Sequence, residues 1–348
     1  MKRAWIGAIA FACASWGGVP DAELPAQPIA LSYRTPEEAR ARAEALRRAE
    51  PQTPDVAAQG PTWVGSKAYL RADASVVDRL LDQVFGGDRG LSEAHLGRLA
   101  LLDPRTGQVT LVEGALRGAV PQAWSRDRRA LLFSQPTLPG GEDVQIFEWS
   151  AAARTVRRVT TGPPIHSQAC YGPDARIAVA AVEIQGNGAA TSRIRISEPS
   201  GRAPFRDLSA GPADHTPTCA PDGSAVAFAR MKGAGRSEIW LAAAPFDAPA
   251  QRLSPGRDPR FADLGGWIVY TAPSGRLSRL FRIRADGSGR APIGGGGRDE
   301  VWPSASPDGK LIAYVASEES SRRVLVRRFD GTGDRLLLAT GDGEHPVW

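Results

Sequence analysis

The sequence predicts an all-β chain, and three observations carry the prediction. The first is a repeated turn. Ser306-Pro307-Asp308-Gly309, ahead of Leu311-Ile312-Ala313-Tyr314-Val315, has a close copy in Ala220-Pro221-Asp222-Gly223, ahead of Ala225-Val226-Ala227-Phe228-Ala229. Gly172-Pro173-Asp174-Ala175 and Ser125-Arg126-Asp127-Arg128 are worn copies, each again ahead of an apolar run. The second is the period. The turn aspartates stand at 127, 174, 222 and 308, so the first two spacings are 47 and 48 residues, and the third, 86, is two periods of 43. A degenerate copy from Asp258 to Thr271 fills that gap. The third is a second β-rich run after each turn strand, at 144–149, 193–197, 238–241, 280–284 and 324–329, with hairpin turns such as Asp286-Gly287 and Asp330-Gly331 beyond it. Repeats of about 40–50 residues with four short strands each mark the blades of a β-propeller. The count is six blades, with seven the alternative.

Physical reasoning favours a closed ring over a stack. One four-stranded blade cannot bury both of its faces alone; neighbouring blades bury each other, and closure hides most strand edges. Trp124, Tyr171, Phe228, Tyr270 and Tyr314, all close to the turns, are expected to fill the space between blades.

The N-terminal region divides differently. Met1-Lys2-Arg3 is a short basic start, residues 4–12 are apolar and uncharged, and Ala12-Cys13-Ala14 offers a small-x-small cleavage site. Residues 1–14 therefore read as a secretory signal peptide, too short to span a bilayer. Residues 15–60 read as a Pro/Ala-rich leader, flexible over 18–34, with one helix at 36–49. Thr35 as N-cap, Pro36 at the first helical position and Glu38 three residues after the cap form its start. The propeller is expected over 61–348. Gly60-Pro61-Thr62-Trp63 and residues 67–70 open a blade, a helical insertion occupies about 75–85, and the blade resumes at 99–102 and 109–112. The terminal His345-Pro346-Val347-Trp348 matches Gly60-Pro61-Thr62-Trp63 and competes for the same inner strand, where it can latch the ring.

The pattern Pro-x-x-Ser-Pro-Asp-Gly-Lys-x-Ile-Ala-Tyr, from Pro303 to Tyr314, resembles the repeat of TolB-type β-propellers. The resemblance is clear over 119–348 and faint over 61–118. It implies a six-bladed ring in the bacterial envelope that docks envelope proteins at one face. TolB itself carries a sizeable N-terminal α/β domain, and the short stretch ahead of the first blade departs from that plan. Cys13 after a short apolar run resembles the lipid-modified cysteine of bacterial lipoproteins, although Ala10-Phe11-Ala12 departs from the usual motif. The chain is thus expected to be periplasmic or secreted, or else an outer-membrane lipoprotein touching the membrane only through its anchor.

The formal net charge of +5 comes almost wholly from arginine, because only Lys2, Lys67, Lys232 and Lys310 are lysines. Scattered arginines balanced by acids make no nucleic-acid stripe. The densest clusters, Arg322-Arg323 and Arg327-Arg328, read as solvated charge on an outer strand. With Cys13 removed or lipidated, Cys170 and Cys219 remain as an even pair in an oxidising compartment. They form either a disulfide across two inner strands or two separate buried thiols.

Three histidines, His166, His215 and His345, precede the inner strand of their blades and can point to one mouth of the channel. Asp299, Glu300 and Asp258 take similar places. Together they pose a divalent-metal site, the only cofactor this sequence raises. There is no Gly-x-Ser-x-Gly elbow, no Walker loop around Gly294–Gly297, and no Cys-x-x-Cys pair. The expected function is a monomeric, non-catalytic protein-binding scaffold of the envelope. The alternative is a polysaccharide lyase or hydrolase with metal at the channel mouth.

Overall fold

The computed structural model describes residues 18–48, 93–139, 143–184, 190–199, 204–232, 236–262, 266–295, 297–318 and 321–348. The proposed signal peptide with Cys13, and the blade start and helical insertion placed at 60–85, lie outside the described residues. The first blade uses β1 (Ile29–Arg34), β2 (Arg98–Leu102) and β3 (Val109–Leu111), with α1 (Pro36–Arg48) between β1 and β2. The second contains β4 (Val120–Trp124), β5 (Ala130–Pro136), β6 (Val144–Ser150) and β7 (Thr155–Arg158). The third contains β8 (Ile165–Tyr171), β9 (Ile177–Ile184), β10 (Ala190–Ser197) and β11 (Phe205–Asp207). The fourth contains β12 (Asp214–Cys219), β13 (Ala225–Lys232), β14 (Arg236–Ala243) and β15 (Gln251–Pro255). The fifth contains β16 (Arg257–Ala262), β17 (Trp267–Ser274), β18 (Leu277–Arg284) and β19 (Ala291–Pro292). The sixth contains β20 (Asp299–Ala305), β21 (Leu311–Glu318), β22 (Ser321–Arg328) and β23 (Arg335–Leu336), and β24 (Asp342–Val347) ends the chain.

Each blade is a four-stranded antiparallel meander, except the first, whose order is β24-β1-β2-β3. Six blades close the ring. The C-terminal strand is the inner strand of the first blade and pairs with β1, Tyr33 opposite Gly343 and Arg34 opposite Asp342. This corrects the expected boundary at 61. Ile29–Arg34 is a propeller strand and not part of a flexible leader, because its neighbours β24 and β2 supply both of its ladders.

The core lies between blades. Successive side chains of a strand point to opposite faces. In β21, Leu311, Ala313 and Val315 pack with Ile29 and Leu31 of the first blade, whereas Ile312, Tyr314 and Ala316 pack with Val269 and Leu280 of the fifth. In β13, Ala227 and Ala229 meet Ile268 and Tyr270, and Val226 and Phe228 meet Ala178 and Ile194. A strand sandwiched this way needs apolar residues on both faces, which explains the unbroken runs after each turn. Phe133, Phe228, Tyr270 and Tyr314 are fully buried, and burying a side chain of this size contributes about 1.5–3 kcal/mol. Trp124 and Tyr171 are only half-buried but pack against the same interfaces.

Arg322 and Arg327 are not solvated. Both are sealed in the interior, Arg322 against Glu344 and Arg327 against Glu300 and Asp334. Their strand is covered on both faces by neighbouring blades, so these arginines bury with acids of β24, β20 and the β22–β23 connection as partners. The helix α1 starts with reciprocal bonds: Thr35 N–H donates to Glu38 Oε2 at 2.9 Å, and Glu38 N–H to Thr35 Oγ1 at 3.3 Å. Glu38 also accepts from Arg98 and Arg117, which ties the helix to the ring.

Candidate functional site: the waist of the channel

Every inner strand breaks register at one place. The ladder slips between Pro121 and Ala123, His166 and Gln168, His215 and Thr218, Arg257 and Arg260, and Val301 and Ser304, and opposite Ala30 and Ser32 in the closing pair. A bulge inserts an extra residue and re-aims a side chain. The bulged residues Gln122, Ser167, Thr216, Asp258, Trp302 and His345, one from each blade, line the axial passage. Four of them hold left-handed backbone, with φ of 48° at Thr216, 51° at Asp258, 52° at Trp302 and 51° at His345. Each of these four is followed by proline, which excludes the ordinary helical region for the residue before it.

The result is a waist. The cavity among these side chains is about 20 Å³, close to the room one water needs. The rings of Trp302 and His345 meet there with centres 4.0 Å apart and planes tilted by 35°. Inter-blade bonds tighten it. Thr216 N–H donates to Gln168 Oε1 at 2.8 Å, Phe261 N–H to Thr218 Oγ1 at 3.1 Å, and Trp348 N–H to Ser304 Oγ at 2.9 Å.

Asp258 is buried beside Arg257, with Nε 3.4 Å from Oδ2. Burial raises its carboxyl above the usual range, against the pull of Arg257 and Arg260. Arg260, also lining the waist, is lowered by burial and supported by Asp258.

The three histidines lie within the inner strands rather than ahead of them, and their places differ. His345 is a bulge residue in the waist, whereas His166 and His215 each precede the bulge by one position. His166 is buried, and its Nδ1 lies 3.0 Å from Gln145 Oε1. Burial, then Arg195, pushes its pKa down to about 4. His215 is buried with Nδ1 3.1 Å from Thr216 Oγ1, and burial followed by Arg257 lowers it to about 3. Among the described residues no group of three or more His, Cys, Asp or Glu is placed to hold a metal ion. The carboxylates have other partners: Asp299 Oδ1 accepts Ser278 N–H at 2.7 Å, and Glu300 binds Arg327.

Cys170 and Cys219 are joined as a disulfide, with Cα atoms 5.7 Å apart. It staples the inner strands β8 and β12 of neighbouring blades. No helix among the described residues is long and apolar enough to cross a membrane. Sequence reasoning passed over the bulges, although the X-Pro steps Thr216-Pro217, Asp258-Pro259, Trp302-Pro303 and His345-Pro346 recur at one place in four inner strands.

No family model matches the chain, and no curated protein matches it by sequence. Its fold matches solved structures. TolB from Acinetobacter baumannii superposes with a TM-score of 0.63 at 16% identity, covering 92% of this chain and 66% of that one. The putative TolB from Agrobacterium tumefaciens gives 0.56 at 20% identity, covering 70% of this chain and 89% of that one. Kuenenia stuttgartiensis hydrazine synthase gives 0.63 at 12% identity over 93% of this chain and 46% of that one. The chain thus spans just under two thirds of the length of the A. baumannii protein. The closed ring of six four-stranded blades and these likenesses establish a TolB-like six-bladed β-propeller fold, a scaffold on which unrelated activities are built.

Proposed function

We propose that this protein is an exported, non-catalytic scaffold that binds other proteins in the bacterial cell envelope, without being a TolB itself. The observation that carries the reading is the closed waist. The space among the waist side chains is about 20 Å³, too small there for a sugar ring, which favours the broad loop faces of the ring as the surfaces offered to partners. The disulfide supports an oxidising compartment, and the basic, then apolar, N-terminus supports export through cleavage near residues 12–14 or lipidation at Cys13. Working as a monomer is part of the same reading.

Cross-linking of the purified chain in envelope extract tests it. A discrete protein partner, captured less well when loop residues of one face are reversed in charge, is the expected outcome. Cleavage of polygalacturonate by the purified protein, lost in His345→Ala, would instead assign the lyase or hydrolase reading with a metal at the waist. Intact mass checks the route of export: the chain should lack its first 12–14 residues, and added diacylglycerol mass at Cys13 selects the lipoprotein form.

A further inference from the structure

A cleft of about 420 Å³ opens between the fourth and fifth blades, within the range of small-ligand sites. It lies on the face where the inner strands begin. Lys232 ends β13, Arg236 starts β14, Arg252 lies in β15, and Pro255-Gly256-Arg257 crosses from the fourth blade to the fifth. Pro273 and Ser278 close the far wall.

The charge in this cleft is unbalanced. Four cationic side chains border it, against one lining carboxylate, Glu238. Glu238 is already engaged, with Arg252 Nε 2.8 Å from Oε1 and Lys232 Nζ 3.6 Å from Oε2. Arg257 is fixed in direction by Ser278 Oγ at 3.2 Å and by Asp258 at 3.4 Å. Arg236 is exposed and has no carboxylate partner among the described residues. Counting Asp258 with Arg257, two positive charges remain in excess. The crossing itself depends on Gly256. Its φ is 149°, and a Cβ there would stand 2.4 Å from Tyr270 Cδ2, so only glycine lets the backbone press onto the tyrosine and set Arg257 at the cleft.

We infer that this cleft receives an acidic peptide segment of a protein partner, its carboxylates meeting Arg236 and Arg257. The inference rests on the scaffold reading and names the partner's chemistry. The cations stand on four successive strands, which suits carboxylates spaced along a chain better than a single compact anion. Guanidinium forks pair with carboxylates two bonds at a time. Pro255, Pro273 and the aliphatic stems of the basic side chains supply an apolar wall for the peptide between its charges.

Fluorescence anisotropy with labelled decaglutamate and the full chain tests this. Binding should weaken steeply with salt. The double variant Lys232→Glu/Arg236→Glu, at two exposed positions, should weaken it at least tenfold. Arg126→Glu, exposed in the opposite turn of the second blade, should change it less than twofold. Parental affinity in the double variant, or an equal loss in Arg126→Glu, overturns the assignment. Tighter binding of decagalacturonate with the same sensitivity to the variants would replace the peptide by a sugar acid. Cross-linking separates the two ideas. A double variant that still captures the parental envelope partner, with no decaglutamate binding by the parent, removes the cleft and leaves the scaffold. A parent that binds decaglutamate through the cleft but captures no partner keeps the cleft and removes the scaffold.

Discussion

Arg327 and Glu300 form a buried ion pair, Nη2 2.7 Å from Oε1, with side chains 3% and 0% exposed. Asp334 accepts from Arg327 Nε at 2.6 Å, and the Tyr314 hydroxyl donates to the same carboxylate at 2.9 Å. The pair ties β22 to β20 inside the sixth blade. Removing one partner leaves the other charge stranded in a medium that cannot solvate it. Arg327→Met should therefore cost about 3–5 kcal/mol. Arg327→Met/Glu300→Leu should cost less than the single change, because no buried charge is left alone. Urea midpoints at constant m value check this; a double variant weaker than the single by the full sum would remove the ion-pair explanation.

The Cys170–Cys219 disulfide closes a loop with a sequence separation of 49. Chain entropy gives such a cross-link about 2–4 kcal/mol, carried mainly by the unfolded state. Cys170→Ala/Cys219→Ala should lower the thermal midpoint by several degrees and abolish its sensitivity to reductant. A parent protein whose midpoint is the same with and without dithiothreitol would show that the staple contributes nothing.

Much of the ring was legible because its repeat is local. Turn, strand and hairpin signals stand within one period, so five blades could be read directly, while the C-terminal segment stood as one of two candidates for the inner strand of the first. The strand Ile29–Arg34 was not, because its partners lie at 98–102 and 342–347 and nothing local marks it. Arg322 and Arg327 misled for a related reason: adjacent arginines look solvated unless the distant acids Glu344 and Glu300 are known to pack against them. By sequence all three histidines read as preceding the inner strand of their blade, yet a one-residue difference against the bulge put His345 in the waist and left His166 and His215 just before it. A bulge shifts the side chains beyond it by one place, and spacing from the turn does not show where it falls.

His166 and His215 make stability depend on pH in a definite direction. Their folded pKa values, about 4 and about 3, lie below the ordinary 6.5. Between pH 6.5 and these values the unfolded chain binds more protons, so stability rises with pH. Their contribution is complete above about pH 6.5 and is lost as acid approaches pH 4 and then 3. Asp258, raised by burial, acts in the opposite sense, so each variant is compared with the parent at the same pH. Thermal midpoints of the parent should fall between pH 6.5 and 4.5, and His215→Asn should flatten that fall. An unchanged slope in both His215→Asn and His166→Asn would show that neither ring is held neutral.

The repeated turn aspartates invite a calcium reading, and the geometry assigns them to the backbone instead. Asp308 Oδ1 accepts from Ser306 Oγ at 2.6 Å and from Lys310 N–H at 3.2 Å, and Ser306 Oγ accepts Leu311 N–H at 2.9 Å. Asp222 Oδ1 does the same with Ser224 N–H and Oγ, at 2.9 and 2.6 Å. Asp127, which accepts from Ser125 Oγ at 2.7 Å and Arg129 N–H at 3.1 Å, and Asp222 are held below the usual carboxylate range by such bonds, led by the side-chain hydroxyl. Gly309 completes the turn at φ 68°, where its N–H donates to Ser306 O at 2.8 Å. A β-branched residue is strained there, so Gly309→Val should cost about 1–3 kcal/mol. Asp308→Ala should cost about 1 kcal/mol, the worth of its lost bonds. Neither effect involves a metal, so thermal melts in calcium and in chelator should coincide for the parent and for both variants. A chelator that lowers the parental midpoint as much as Gly309→Val does would make the aspartates metal ligands and end the backbone account.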